Sequence, residues 1–155
     1  MEEVSTNEFK QYIVVKLANE QYGIDIQYVD NIVRMQKVTR VPKSQDYFKG
    51  VINLRGEIIP VMSLRLRFDM EEDNSEPKKM RILILKLESS ACVGIIVDEV
   101  REVVTLETET IEKVQHDAGD EKSIFLSGIG KHDNNLISIL NIQSVIVDKE
   151  KEKEA

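Results

Sequence analysis

The chain predicts an all-β fold whose two similar halves share one core, and three observations carry that expectation. Short apolar runs rich in Val and Ile recur along most of the 155 residues, broken by polar corners, as strands packed on one face require. Two stretches of the first half return in the second. Gly23-Ile24-Asp25-Ile26-Gln27-Tyr28-Val29 is matched by Gly94-Ile95-Ile96-Val97-Asp98-Glu99-Val100, 71 positions on (23 to 94). Ile58-Ile59-Pro60-Val61-Met62-Ser63-Leu64 is matched by Leu136-Ile137-Ser138-Ile139-Leu140-Asn141-Ile142, 78 positions on (58 to 136). Each half holds about five short strands, too few to bury a good core alone, so the halves should pack on each other.

Taken in order, Tyr12–Leu17 is β-rich, Ala18–Gln21 can turn, and Tyr22–Asp25 can return as a hairpin. Ile26, Val29 and Val33 fall at i, i+3 and i+7, which predicts a short amphipathic helix over 26–33. Pro42-Lys43-Ser44-Gln45 reads as a loop. Val51–Leu54 and Ile58–Met62 then form a hairpin about Asn53-Leu54-Arg55-Gly56, with Gly56 the natural residue for positive φ. Ser63 reads as the N-cap of a short turn through Phe68. Residues 69–79 are acidic, polar and contain Pro77, which marks a linker. Met80–Leu87 and Cys92–Val97 form a second strand pair, 107–122 a long polar loop, and Ser123–Ile129 and Leu136–Leu140 a last pair. Asn141 reads as the cap of a short turn through Val147. The expected organisation is one domain over 9–148: a first half at 9–68, the linker, a second half at 80–148, and a charged tail at 149–155.

Composition excludes several function classes. The formal charge is −7 and the pI about 5.0, the wrong sign for a duplex nucleic-acid binder or an anionic membrane surface. The single cysteine, Cys92, rules out an internal disulfide and fits a reducing cytoplasm; within an apolar strand it reads as a small core residue. No apolar run approaches the roughly 20 residues of a membrane span, and the acidic N-terminus is unlike a signal peptide. His116 and His132 lie in polar loop sequence without a partner at ligand or triad spacing. Gly128-Ile129-Gly130 is too short for a dinucleotide fingerprint. Asp98 and Glu99, at a strand end, read as capping or water-facing carboxylates. No active site, metal site or cofactor is expected.

Arg55 is the sharper candidate. A short turn would hold it outward with little backbone freedom, a position suited to gripping a partner. Asn53 can bond the turn backbone and, with Gly56, fix its shape. Gly50, Gly94 and Gly128 lie beside strands and read either as bulges or as places where another protein approaches closely. Val29 and Val100, related by the repeat, read either as core or as equivalent contact walls.

The run Phe48, Gly50, Val51, Asn53, Leu54, Arg55, Gly56, Ile58, Pro60, Val61 and Leu64 resembles the central motif of the CheW family, the coupling proteins of bacterial chemotaxis. Tyr22–Val29 and Val93–Val100 are similar to two further family segments, so the resemblance runs from about Phe9 to Val147. It implies two packed five-stranded SH3-like barrels with short helices, no enzymatic activity, and coupling of chemoreceptors to the histidine kinase CheA. The implied partners are the receptor's cytoplasmic helical tip and the kinase's regulatory domain, itself similar to CheW. The implied location is the cytoplasm, at membrane receptor arrays reached through those partners. It further implies a receptor site at the positions of Val29, Gly50, Arg55, Gly94, Val100 and Gly128. On the strand reading, Asn31, Ile32 and Lys49 lie near one end of the first barrel and are candidates for the kinase face. Many relatives carry Glu where this chain has Asn31. An adaptor role in another receptor–kinase system, or a small-ligand binder or enzyme using the groove between barrels, are the alternatives.

Overall fold

Among the described strands that are apolar on both sides, one at Tyr12–Leu17 and one at Ile82–Leu85 organise the molecule. The computed structural model describes residues 8–114 and 121–146. Its strands are β1 (Phe9–Leu17), β2 (Glu20–Asp25), β3 (Val29–Arg34), β4 (Phe48–Leu54), β5 (Glu57–Ser63), β6 (Arg81–Lys86), β7 (Cys92–Val97), β8 (Glu99–Glu107), β9 (Glu112–Lys113), β10 (Leu126–His132) and β11 (Asn135–Leu140). Two short helices, α1 (Leu64–Arg67) and α2 (Ile142–Ile146), and three 3-10 turns accompany them among the described residues. His116 and the charged tail lie outside the described residues.

The strands form two sheets, ordered β8-β1-β2-β11-β10-β9 and β3-β6-β7-β5-β4. These are the two SH3-like subdomains; β9, only two residues long, adds a sixth strand to the first. The division differs from the expected halves. The first sheet joins the N-terminal hairpin β1–β2 to strands after residue 98, and the second is the continuous segment from β3 to β7. In terms of the repeat, each sheet takes its first hairpin from one copy and its remaining strands from the other. Polar residues 69–79 do link α1 to β6, but both of these belong with the second sheet.

The core explains the exchange. On β1, Tyr12 and Val14 face a cluster with Val104, Leu106, Ile137 and Ile139 inside the first subdomain. Ile13, Val15 and Leu17 face the opposite way, into a large shared cluster. On β6, Ile82 and Ile84 fill the second subdomain with Ile52, Ile59 and Val61. Leu83 and Leu85 join the shared cluster. A strand buried on both faces carries an unbroken apolar run, as Tyr12–Val15 and Ile82–Leu85 do.

Glycines make the rows across each sheet close. Gly94 of β7 and Gly50 of β4 flank Val61 of β5, and Gly23 of β2 and Gly128 of β10 flank Ile139 of β11 in the same way. A Cβ on Gly94 would lie 2.8 Å from Ile82 Cγ2 and 3.2 Å from Val61 Cγ2. Gly50 sits at a bulge with φ +139°, where a Cβ would meet the Thr39 carbonyl oxygen at 2.0 Å. A Cβ on Gly128 would meet Ile111 Cγ2 at 2.6 Å.

Both caps form as expected: Ser63 Oγ accepts from Leu66 N at 3.2 Å and Asn141 Oδ1 from Ser144 N at 3.3 Å. The helix expected over 26–33 is instead a single 3-10 turn, Ile26–Tyr28, followed by β3. Half-buried and exposed residues alternate along β3, so pairing with β6 overrides the i, i+3, i+7 spacing. The region expected to be a long polar loop contains the turn Thr108–Thr110 and β9. Cys92, expected in the core, is only half-buried at the start of β7.

Two arginines of α1 tie the subdomains together. Arg65 grips Asp98 through Nε at 2.8 Å and an Nη at 2.5 Å. Asp98 Oδ2 also accepts the Ala18 amide, at 2.8 Å, from the β1–β2 turn. Asp98 therefore does cap, but as the ionic junction of both sheets rather than as a water-facing group. Its hydrogen bonds raise the Arg65 pKa beyond the ordinary arginine value, against partial burial. Arg67 donates to the Val145 and Ser144 carbonyls at the end of α2 and lies over the Tyr47 and Phe125 rings, 4.4 and 4.8 Å from their centroids.

Replacing Asp98 by Ala leaves the Arg65 fork and the Ala18 amide without their shared acceptor. Chemical denaturation should show a loss of about 1.5–3 kcal/mol, with Asn intermediate. Gly94→Val should lower the melting temperature by forcing Ile82 and Val61 apart. Gly50→Ala should lower it further, since the obstacle there is backbone.

Candidate functional site

Period-two alternation on β5 turns Ile59 and Val61 inward and Ile58 and Pro60 outward. The register Asn53↔Ile58 and Leu54↔Glu57 leaves Arg55 and Gly56 as a two-residue turn. Gly56 has φ 85°, as expected, and Arg55 itself has φ 53°. Positive φ at both central positions is the type I′ pattern, whose twist matches that of the flanking strands. Asn53 Oδ1 accepts the Gly56 amide at 3.2 Å, which is the structural role its sequence position predicts. Arg55 is exposed, and among the described residues no hydrogen bond or ion pair engages it. Beside it Ile58 is 65% exposed. The tip thus presents one cation and one apolar side chain on a fixed turn, within an acidic protein. Such a surface can take a carboxylate in a bidentate fork while covering adjacent apolar area.

The other expected receptor positions have different settings. Val29 begins β3 and Val100 is the second residue of β8; both pack, half-buried, against the shared core. Gly50, Gly94 and Gly128 are buried in the rows described above, where they shape the barrels. Of the six, Arg55 alone offers an exposed side chain.

Among the kinase candidates, Ile32 is 39% exposed on β3. Asn31 is half-buried beside a register shift in the β3–β6 pair. Lys49 Nζ is paired with Glu72 Oε1 at 2.7 Å, so a partner must compete with that contact. Sequence reasoning missed Ile58, which reads as one more strand isoleucine until the two-residue turn fixes which face it takes. It also missed the Arg65–Asp98 junction, whose partners stand 33 residues apart. Among the described residues no group of three His, Cys, Asp or Glu side chains is placed to hold a metal ion. Nor is any helix long and apolar enough to cross a membrane.

Comparison with known proteins agrees with this architecture. A family model described as a CheW-like domain matches residues 11–150. The chain is 34% identical to the chemotaxis protein CheW of Bacillus subtilis, over 99% of this chain and 95% of that one. It is 31% identical to the chemotaxis protein CheW of Klebsiella aerogenes, over 91% of this chain and 84% of that one. Its fold superposes on the crystal structure of the scaffolding protein TtCheW from Thermoanaerobacter tengcongensis with a TM-score of 0.82 and 31% identity, covering 96% and 95% of the two chains. With its two exchanged barrels, its Asn53–Gly56 turn and these matches over nearly its whole length, the chain belongs to the CheW family.

Proposed function

We propose that this chemotaxis adaptor couples chemoreceptors to the histidine kinase CheA in a ternary complex, without enzymatic activity of its own. The observation that carries the reading is the Arg55 tip: an exposed guanidinium on a fixed two-residue turn, with exposed Ile58 three positions on. The receptor partner is the cytoplasmic helical tip, whose carboxylates Arg55 grips in a planar fork. Val29, Val100 and the row glycines Gly50, Gly94 and Gly128 support that contact by fixing barrel shape. The kinase partner is the regulatory domain, which meets the Ile32 side of the second sheet, with Asn31 and Lys49 at its rim. The protein works in the cytoplasm and reaches membrane arrays through these partners.

In this arrangement the adaptor acts as a rigid spacer. A change in the receptor helices reaches the kinase as a change in relative placement. Its size is bounded by the difference in contact energy between the kinase-on and kinase-off states. The staples at Asp98 and Arg67 matter here, because a joint that yields between barrels would absorb the displacement.

Arg55→Ala should weaken binding of a receptor-tip fragment by about tenfold to a hundredfold, as expected for a desolvated charge-assisted pair. Melting temperature should hardly move, and Lys should restore only part of the affinity. Titration of wild type and both variants, with melting curves alongside, tests this; unchanged affinity removes Arg55 from the receptor site.

Ile32→Asp should weaken binding of the kinase's regulatory domain while leaving receptor affinity near wild type. Parallel titrations with the two partners separate the faces. Equal loss of both, with a lowered melting temperature, would instead make Ile32 a structural residue.

A further inference from the structure

Charge in this chain is unevenly placed. Residues 31–45 hold four cations, Arg34, Lys37, Arg40 and Lys43, and no carboxylate, while the rest of the chain holds 17 basic residues and 28 acidic. All four are exposed, and among the described residues no ion pair or side-chain hydrogen bond engages any of them. A second acid-free run, 77–87, also holds four cations but engages two of them internally. Lys79 lies 3.5 Å from Glu76 and 4.0 Å from Glu99, and Arg81 donates to the Lys78 and Met80 carbonyls, both at 2.8 Å.

The fold brings the two runs together. Arg34, the last residue of β3, stands directly opposite Arg81, the first of β6, on the same face of the sheet. Like charges so placed destabilise a strand pair, and among the described residues neither arginine is ion-paired with a carboxylate. The chain beyond Arg34 follows a defined path. Thr39 exchanges two backbone hydrogen bonds with Val51 of β4, both 2.8 Å, and Ser44 Oγ donates to the Val41 carbonyl at 2.9 Å. Gly50 makes the first of these contacts possible, since the Thr39 carbonyl oxygen occupies the place that a Cβ would take there. A basic segment is thus held against the second barrel while its cations stay unengaged.

We infer that this basic face docks a carboxylate-rich peptide segment of another protein. One carboxylate sits between Arg34 and Arg81 and relieves their repulsion, and the next ones follow Lys37, Arg40 and Lys43. Arginine takes a carboxylate in a bidentate fork, which suits the Arg34–Arg81 end to anchoring and the lysines to charge attraction alone. From 34 to 43 the chain spans at most about 32 Å, so about eight to ten extended residues cover the face. A long polyanion is the wrong occupant: a nucleic-acid duplex or an anionic membrane surface would bring the acidic remainder of the chain against itself. The inference goes beyond the receptor and kinase contacts proposed above. Its test uses neither partner, so either reading can fail without the other.

The probe is octaglutamate, titrated into the isotopically labelled full chain at low and high salt and followed by amide chemical shifts. Shifts should concentrate at residues 34–43 and at Arg81, and high salt should weaken binding by about tenfold or more. Arg34→Gln should weaken binding by about fivefold. Its melting temperature should stay level or rise, because the substitution removes the repulsion with Arg81; a purely structural arginine would give a fall. Gln at all four of Arg34, Lys37, Arg40 and Lys43 should abolish binding. A control with Gln at Lys86, Arg101, Lys113 and Lys131, all exposed, reaches the same net charge and should bind within about twofold of wild type. Melting curves check that both fourfold variants fold. Absence of binding at low salt, an Arg34→Gln that binds normally, or equal loss in the two fourfold variants would each overturn the proposal. So would phosphatidylglycerol vesicles held by the same four side chains more tightly than the peptide.

Discussion

The constraint on which this structure rests is that β1 and β6 are buried on both faces. Each forms one wall of its own barrel and one wall of the layer between barrels. Neither barrel could expose that second face without placing Ile13, Val15 and Leu17, or Leu83 and Leu85, in water. Burying side chains of this size contributes roughly 1.5–3 kcal/mol each, so the two barrels are bound as one body. The β4–β5 and β10–β11 tips can then sit far out on hairpins while their bases stay fixed.

The polar junctions lie where the chain passes between sheets. Asp98 occupies the step from β7 to β8, the point at which the chain leaves the second sheet for the first. It is held there by Arg65 from α1 and the Ala18 amide from the opposite hairpin. Arg67 does the corresponding work between α1 and α2, its charge spread over two aromatic faces. Charge is concentrated at a joint whose apolar surroundings already set the geometry, so these pairs fix alignment more than they supply stability.

Much of this was legible in the residues. The repeat, the strand-rich pattern, the two caps and the Asn53–Gly56 turn are local, and local chemistry decides them. The exchange of hairpins is not local. Val14 faces Gly23 within the first hairpin and Ile84 faces Gly94 within the second, and either hairpin carries a pattern that either sheet could accept. The false helix at 26–33 arose because a turn followed by a strand can place Ile26, Val29 and Val33 at helical spacing. The glycines were seen, but whether a partner or the barrel itself approached them depended on neighbours such as Thr39 and Ile82, far away in sequence or across a strand pair. Arg55 stood out as a cation on a turn. That Arg55 itself adopts positive φ could not be read from an Arg-Gly pair.

The nested order of the sheets has a consequence for how the chain comes into being. The second sheet is continuous from β3 to β7, and all of its strands leave the ribosome together. The hairpin β1–β2 emerges before them, yet its neighbours β8 and β11 come last; Tyr22 pairs with Ser138. Domains tend to fold as units during synthesis, but here the earliest segment has one apolar face and one open edge that only the latest segment can cover. The nascent barrel in the middle can cover part of the hairpin's shared-core face at once. Its other face waits until β8 and β11 have been made.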